Sequence, residues 1–294
     1  MRNSHVEIFP IAGALGAEIG GVDVAQDLDD AVISEIRQAL LDYGVIFFRD
    51  QELDRDRHKA FTRRFGEIFV HPNYKGVSAD PEIVDIRREP GDRKIVGEDW
   101  HTDTTMVAEP PLGAILYAIE VPPYGGDTLF ANQYLAYDTL SDGLKHTVES
   151  LRAVHTDRMV AGPQAGMNAH RSTKVREDAD WQETISVHPV VRTHPETGRK
   201  LLFVNRSYTV GFEGWTEAES KPLLSICWNT DIGRSSRVAS DGPTGPSPFG
   251  TIAAPSTWPC MTPARFAGSC DAHKSAATRF TDRPRAVFVF RVMD

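Results

Sequence analysis

Apolar residues fall along this chain in short runs separated by polar and glycine-containing breaks. Val6-Glu7-Ile8-Phe9 and the glycine-broken stretch from Gly13 to Val24 read as short strands. Ile33, Ile36 and Leu40 stand at helical spacing, with Asp29 or Asp30 as the cap and Gly44 as the stop. Val45-Ile46-Phe47-Phe48 is continuously apolar, as a buried strand would be, and a second helix covers Arg55 to Phe65. Ile83 to Ile86, Leu112 to Val121 and Asp127 to Phe130 read as strands, and residues 134–153 as a helix. Val187 to Arg192 and Leu201 to Asn205 are strands again. Thr216-x-x-Glu219 is a capping box that opens a helix through Leu224.

This pattern predicts a mainly β fold with flanking helices, a sandwich or jelly roll, rather than a parallel α/β sheet, because strand and helix do not alternate regularly. No internal repeat is visible. The 294 residues, 40% hydrophobic and 25% charged, suffice for one domain with a sizeable core. A net charge of -9 offers no basic stripe to phosphates, so no nucleic-acid partner is expected. No run approaches the roughly 18 apolar residues of a membrane span, and Met1-Arg2-Asn3-Ser4-His5 lacks an apolar signal region. The expectation is a cytoplasmic protein with no membrane partner. Cys227, Cys260 and Cys270 form no CxxC pair and are odd in number, which speaks against a disulfide framework or a zinc ribbon.

Candidate chemistry centres on a His-x-Asp triplet, His101-Thr102-Asp103. In an extended segment residues i and i+2 share a face, so an imidazole and a carboxylate could reach one metal. Two histidines and one carboxylate make the facial triad of non-haem Fe(II) oxygenases. The triplet is weak alone, since a chain this long shows one by chance about half the time. A second copy, His155-Thr156-Asp157, is present; it follows an expected helix between Arg152 and Arg158 and reads as a surface helix end.

Context separates the two. Gly13-Ala14-Leu15-Gly16-Ala17-Glu18-Ile19, Phe65-Gly66, His71-Pro72-x-Tyr74 and Trp100-His101-Thr102-Asp103 are followed by Pro110-Pro111 and Gly125-Gly126-Asp127-Thr128. His188-Pro189-Val190-Val191-Arg192, His194-Pro195-x-Thr197-Gly198 and Phe203-Val204-Asn205 complete the series. In order and spacing these stretches resemble the taurine dioxygenase (TauD/TfdA) family of Fe(II)/2-oxoglutarate dioxygenases, across residues 6–224. The resemblance implies a double-stranded β-helix core and a reaction that consumes 2-oxoglutarate and O2, releases succinate and CO2, and hydroxylates a C–H bond. It implies His101 and Asp103 as catalytic metal ligands and Thr128 as a 2-oxoglutarate contact. His71, Tyr74 and Tyr208 fall on substrate-pocket positions. The expected partners are a small anionic organic substrate, of the organosulfonate, sulfate ester or aryloxyalkanoate class, and further copies of the chain in a homo-oligomer. Gly97 stands where the taurine enzyme has an asparagine, which counts against taurine itself.

After Leu224 the resemblance stops. The second iron histidine and the arginine for the far 2-oxoglutarate carboxylate are missing, and residues 225–294 contain no Leu, Glu, Gln or Tyr. A one-base shift of reading register near codons 224–225 accounts for this. Codons built from the last base of one residue and the first two of the next must encode alanine across Trp258-Pro259 and aspartate across Met261-Thr262. Across Cys227-Trp228 they must encode leucine, and across Trp228-Asn229 glutamate. The missing histidine then falls at Thr257 and the arginine at Ala267 or Gly268. His273 is the only histidine in the tail. The single domain, 1–294, is therefore expected to end in an aberrant tail, 225–294, that lacks the strands closing the core, and the chain to be inactive or badly impaired. Two alternatives remain: a catalytically inactive scaffold, and a different jelly-roll metalloprotein such as a cupin, which would want further histidines near His101.

Overall fold

The computed structural model describes residues 5–74, 80–89, 91–94, 96–97, 99–119, 128–162, 167–175 and 181–234, with side chains to 230. It also describes the backbone of four later strands. The N-terminal third follows its hydrophobic pattern. Strands β1 (Glu7–Pro10) and β2 (Ala17–Gly20) pair antiparallel, and β2 runs parallel to β3 (Ile46–Phe48). Between β2 and β3 lies α1 (Asp30–Tyr43), which buries Ile33, Ile36, Ala39 and Leu40 on one stripe. Gly44 ends it at φ 71°, a left-handed conformation that a Cβ would strain, and donates its N–H to Leu40 O at 2.8 Å. Asp29 is the N-cap, although its carboxylate accepts no capping bond.

Helix α2 (Arg55–Arg63) is capped by Asp54, which accepts from the Arg57 N–H at 2.8 Å. Its Phe61 meets Phe48 edge to face at 5.8 Å, tying the helix to β3. Short strands β4 (Ile68–Phe69), β5 (Val84–Arg87) and β6 (Ala114–Ala118) follow. Next come β7 (Leu129–Asn132), α3 (Gln133–Asp138) and α4 (Asp142–Glu149). The single helix expected over 134–153 is thus two helices, because Ser141 starts a new one by accepting from Leu144 N.

Residues 152 and 153 already belong to β8 (Arg152–Thr156), which pairs with β9 (Ile185–Pro189) and β12 (Thr209–Phe212). Between the last two, β10 (Val191–Thr193) and β11 (Lys200–Leu202) form a hairpin. Its loop turns on Gly198 at φ 68°, while His194 Nδ1 accepts the Glu196 and Thr197 N–H groups. The motif around His194 is therefore hairpin chemistry. Two main apolar clusters fill the interior: one joins α1 and α2 to β3, the other joins α3, β8 and the β11–β12 region to Leu224 and Cys227.

Helix α5 (Glu217–Arg234) opens on the expected capping box, with Thr216 N donating to Glu219 Oε2 at 2.8 Å and Glu219 N to Thr216 Oγ1 at 3.3 Å. It does not stop at Leu224. Four strands follow: β13 (Val238–Ala239), β14 (Ile252–Ala253), β15 (Cys260–Met261) and β16 (Arg285–Arg291). β14 lies between β3 and β6, and β16 pairs with β6, β5 and β4. These strands complete an eight-stranded mixed sheet, whereas β13 and β15 flank β7 in a smaller one. The expectation that the closing strands would be missing is therefore corrected at the level of backbone pairing. Ladder hydrogen bonds come from the main chain, and the run Ala286-Val287-Phe288-Val289-Phe290 has strong strand propensity whatever its origin.

Candidate active site

The His101 segment is built by its neighbours. Trp100 is buried against Ala131 and Leu129 of β7, which brings the following residues to the inner face of the fold. His101 Nδ1 lies 2.8 Å from Asp99 O, so that nitrogen carries the proton and donates, and Nε2 is turned outward. Nε2 lies 3.2 Å from Asp103 Oδ1. The two donors predicted from the i, i+2 spacing do meet. A carbonyl that fixes the far nitrogen of a histidine is the usual support of a metal-ligating imidazole. Burial disfavours the His101 cation, but the Asp103 hydrogen bond and charge outweigh it and raise the pKa above its ordinary value.

Thr104, next in sequence, adopts φ 50° while fully buried. A β-branched residue in the left-handed region is strained, and such strain persists only where the surroundings enforce it. The enforcement is visible on both sides. Thr105 Oγ1 meets His155 Nδ1 at 2.9 Å and accepts from Asn205 Nδ2 at 3.1 Å, and His188 Nε2 bonds Val107 O at 3.0 Å.

His155 is consequently not a surface helix end. It lies on β8, fully buried, because strand alternation turns Ala153 and His155 inward and Arg152 outward. Burial, then the charges of His188 and Arg192, push it down to about 3. A neutral imidazole stacked between His188 and Phe203 is a core group. Asp157 is fully buried too, but it is put to use. Its Oδ1 accepts from Thr184 N and its Oδ2 from Asn73 Nδ2, each at 3.0 Å. Asn73 N in turn donates to His71 Nδ1 at 3.0 Å. This leaves the proton of His71 on Nε2. Burial pushes His71 down to about 4 against the attraction of Asp103, so it is a neutral donor at neutral pH.

Tyr74 stacks edge-on against His71 at 4.7 Å. Its hydroxyl pKa is raised by burial, opposed by the Arg171 guanidinium beside it and reinforced by Asp103. Tyr208 is pushed well above its usual value by burial, then by Tyr74, Asp103 and Asp157. Its backbone is held by Asn205 Oδ1 at 2.9 Å and by Thr156 N at 2.8 Å. His71, Tyr74, Tyr208 and Asp103 thus face one another. Thr128 directly precedes β7, the strand that packs on Trp100.

Three groups of this site escaped the sequence reading: Asn73, Asp157 and Arg171. Asn73 lay inside a quoted motif, and Asp157 was the carboxylate of the discarded triplet. Arg171 carried no spacing signal.

As a metal site the described residues supply two of the three donors of a facial triad. An imidazole nitrogen and a carboxylate oxygen converge, and among the described residues no third His, Cys, Asp or Glu joins them. Thr257, Ala267, Gly268 and His273 lie outside the described residues.

Residues 7–226 match the family model described as taurine catabolism dioxygenase TauD, TfdA family. The chain belongs to the TauD/TfdA family. An α-ketoglutarate-dependent sulfate ester dioxygenase from Pseudomonas putida is 32% identical to it over 224 residues, 76% of this chain and 73% of that protein. An (S)-phenoxypropionate/α-ketoglutarate-dioxygenase from Sphingobium herbicidovorans is 33% identical over 232 residues, 74% of this chain and 76% of that one. The crystal structure of a taurine dioxygenase from Burkholderia xenovorans superposes with a TM-score of 0.75 at 30% identity, covering 99% of this chain and 90% of that one. The TauD/TfdA match in sequence ends two residues beyond Leu224, whereas the likeness of fold runs through the tail.

Proposed function

We propose that this TauD/TfdA chain is an Fe(II)/2-oxoglutarate-dependent dioxygenase on a double-stranded β-helix core, a cytoplasmic homo-oligomer acting on a small anionic substrate. The substrate class would be that of its relatives: an organosulfonate, a sulfate ester or an aryloxyalkanoate. One observation carries the reading: His101 Nε2 and Asp103 Oδ1 converge at 3.2 Å within the family-matched region, on a segment held in a strained turn. His101 and Asp103 would hold the iron, and Thr128 would bind 2-oxoglutarate. When bound, these groups supply the oxidising power that no side chain here possesses. The chain's own residues do the rest. His71, held by Asn73 and Asp157, donates from Nε2 to the substrate without carrying charge itself. Tyr74 and Tyr208 stay protonated and line the pocket as donors in a dry environment, where such bonds are stronger than in water. The test is Fe(II)-dependent binding of 2-oxoglutarate by the chain with its register restored, read as a visible charge-transfer band that Asp103→Ala abolishes.

The end of the family match at residue 226 favours a second reading, which limits the first. On it, residues 225–294 are the product of a shifted register, and the third iron ligand and the 2-oxoglutarate arginine are encoded in the gene but not displayed in the protein. Iron held by two donors would bind weakly, and a buried carboxylate of 2-oxoglutarate would lose its bidentate partner. The protein of this sequence is then expected to release almost no succinate with any anionic substrate, and the frame-restored protein to release it readily. An intact frame on resequencing codons 224–225, or brisk turnover by the unaltered chain, would contradict this.

A further inference from the structure

Arg171 is 5% exposed. Its Nη2 makes a long contact of 3.5 Å to Val160 O, its guanidinium reaches the Tyr74 hydroxyl, and its Nε finds no hydrogen-bond partner among the described residues. No described carboxylate forms an ion pair with it. Burying a guanidinium is costly unless it is paired, and the described residues offer it no carboxylate.

The loop that carries Arg171 is pinned on both sides. A short 3-10 turn, Met167–His170, leads into it, and His170 O accepts the N–H groups of Arg93 at 2.9 Å and Lys94 at 3.0 Å. Ser172 donates its N–H and Oγ–H to Asp92 at 3.1 and 2.9 Å. Thr173 Oγ1 donates to Arg87 O at 2.9 Å and accepts Arg87 N at 2.7 Å. Asn168 clasps both backbone groups of Val175, and Val175 bridges to Tyr74. The guanidinium is thereby fixed against Tyr74 and near Tyr208, the tyrosines that also face Asp103. Side chains held by this much surrounding structure are preorganised for a ligand.

We propose that Arg171 is the residue that receives the anionic group of the substrate in this site. The inference rests on the dioxygenase reading for the location of the pocket, and it places a substrate-reading cation within the matched region. A guanidinium presents a planar fork that fits two oxygens of a sulfate, sulfonate or carboxylate. The anion supplies a countercharge that no described carboxylate provides. His71 Nε2–H and the Tyr74 hydroxyl flank it as neutral donors, so the three together complete an oxyanion pocket beside His101 and Asp103.

The test uses the full chain with neither iron nor 2-oxoglutarate. Thermal melts at constant ionic strength compare sodium chloride with sodium sulfate, sodium acetate, hexyl sulfate and hexanol, for the native chain, Arg171→Met and Arg171→Lys. Sulfate and hexyl sulfate should raise the native melting temperature, with acetate reporting whether a carboxylate suffices. Arg171→Met, which keeps the aliphatic stem, should weaken the apparent affinity for hexyl sulfate at least about tenfold. Arg171→Lys should retain part of it, as a point charge without the fork. Hexanol should act alike on all three. Native-like circular dichroism shows that each variant is folded; if Arg171→Met is not, the Arg171→Lys comparison decides.

An oxyanion response unchanged by these substitutions, or absent from the native chain, would overturn the proposal. So would a variant that melts lower in chloride yet answers sulfate normally, because Arg171 would then be paired inside the protein, for which Glu177, Asp178 and Asp180 are candidates. Failure of the iron-dependent band in the frame-restored chain, with an intact Arg171 effect, would sink the dioxygenase reading instead.

Discussion

Single residues here act through chains of contact. Asp157 touches neither His101 nor Asp103, yet it holds Asn73, which fixes the tautomer of His71. Asp157→Ala removes two hydrogen bonds to a buried acceptor and should destabilise the fold by about 2 kcal/mol or more. Asp157→Asn keeps the volume but presents an amide N–H to a donor on one side, so it should lose most of the same stability. Urea midpoints measure both, and a variant within a few tenths of a kcal/mol of the native chain would refute the role. His155 shows the limit of residue-level reading in sequence. The triplet His155-Thr156-Asp157 was indistinguishable from His101-Thr102-Asp103 by spacing, and its flanking arginines suggested exposure. Strand alternation, which depends on β8 being a strand, buries His155, and Asp157, just past the strand, is buried where Thr184 and Asn73 bond it.

At the scale of elements, α2 is docked on the sheet by a titratable group. His58 is buried, and its Nε2 bonds Ile115 O on β6 at 3.2 Å. Burial, only partly opposed by that bond, lowers its pKa from 6.5 to about 4. The unfolded chain therefore takes up a proton near pH 6.5 that the folded chain refuses until about pH 4. Stability contributed by neutral His58 is fully present above pH 6.5 and is lost as pH falls toward 4, by on the order of 3 kcal/mol. Urea midpoints between pH 7.5 and 4.5 should show this fall, and His58→Gln should flatten part of it. His155, titrating lower still, leaves a residual slope. An identical pH dependence in the variant would exclude His58 as a cause.

The elements were legible where local chemistry is strong. Periodicity and Gly44 gave α1, continuous apolarity gave β3, and the capping box gave the start of α5. They were illegible where tertiary context decides. Residues 134–153 carry helical residues throughout, and only Ser141 and the pairing of β8 with β9 divide them. β12, with glycine inside it, gave no strand signal at all.

For the whole molecule, sequence and fold disagree about where the protein ends. The family match covers residues 7–226, yet β14 and β16 complete the central sheet. A ladder needs only backbone and strand propensity, whereas an iron site needs particular side chains at particular positions. A shifted register can leave the first intact while removing the second. The site divides in the same way. His101, Asp103, His71 and Tyr74 are candidates because they stand in motifs of the matched region, and Tyr208 because of its place after Phe203-Val204-Asn205. Arg171 was not legible, because a buried, loop-held cation has no sequence period.

The most direct measurement is an anaerobic titration of Fe(II) into protein with 2-oxoglutarate, following the visible charge-transfer band. It compares the chain of this sequence, the frame-restored chain, and the frame-restored chain carrying Asp103→Ala. A weak or absent band is expected in the first, a strong saturable band in the second, and none in the third. No band in the frame-restored chain, or an undiminished band after Asp103→Ala, would contradict this.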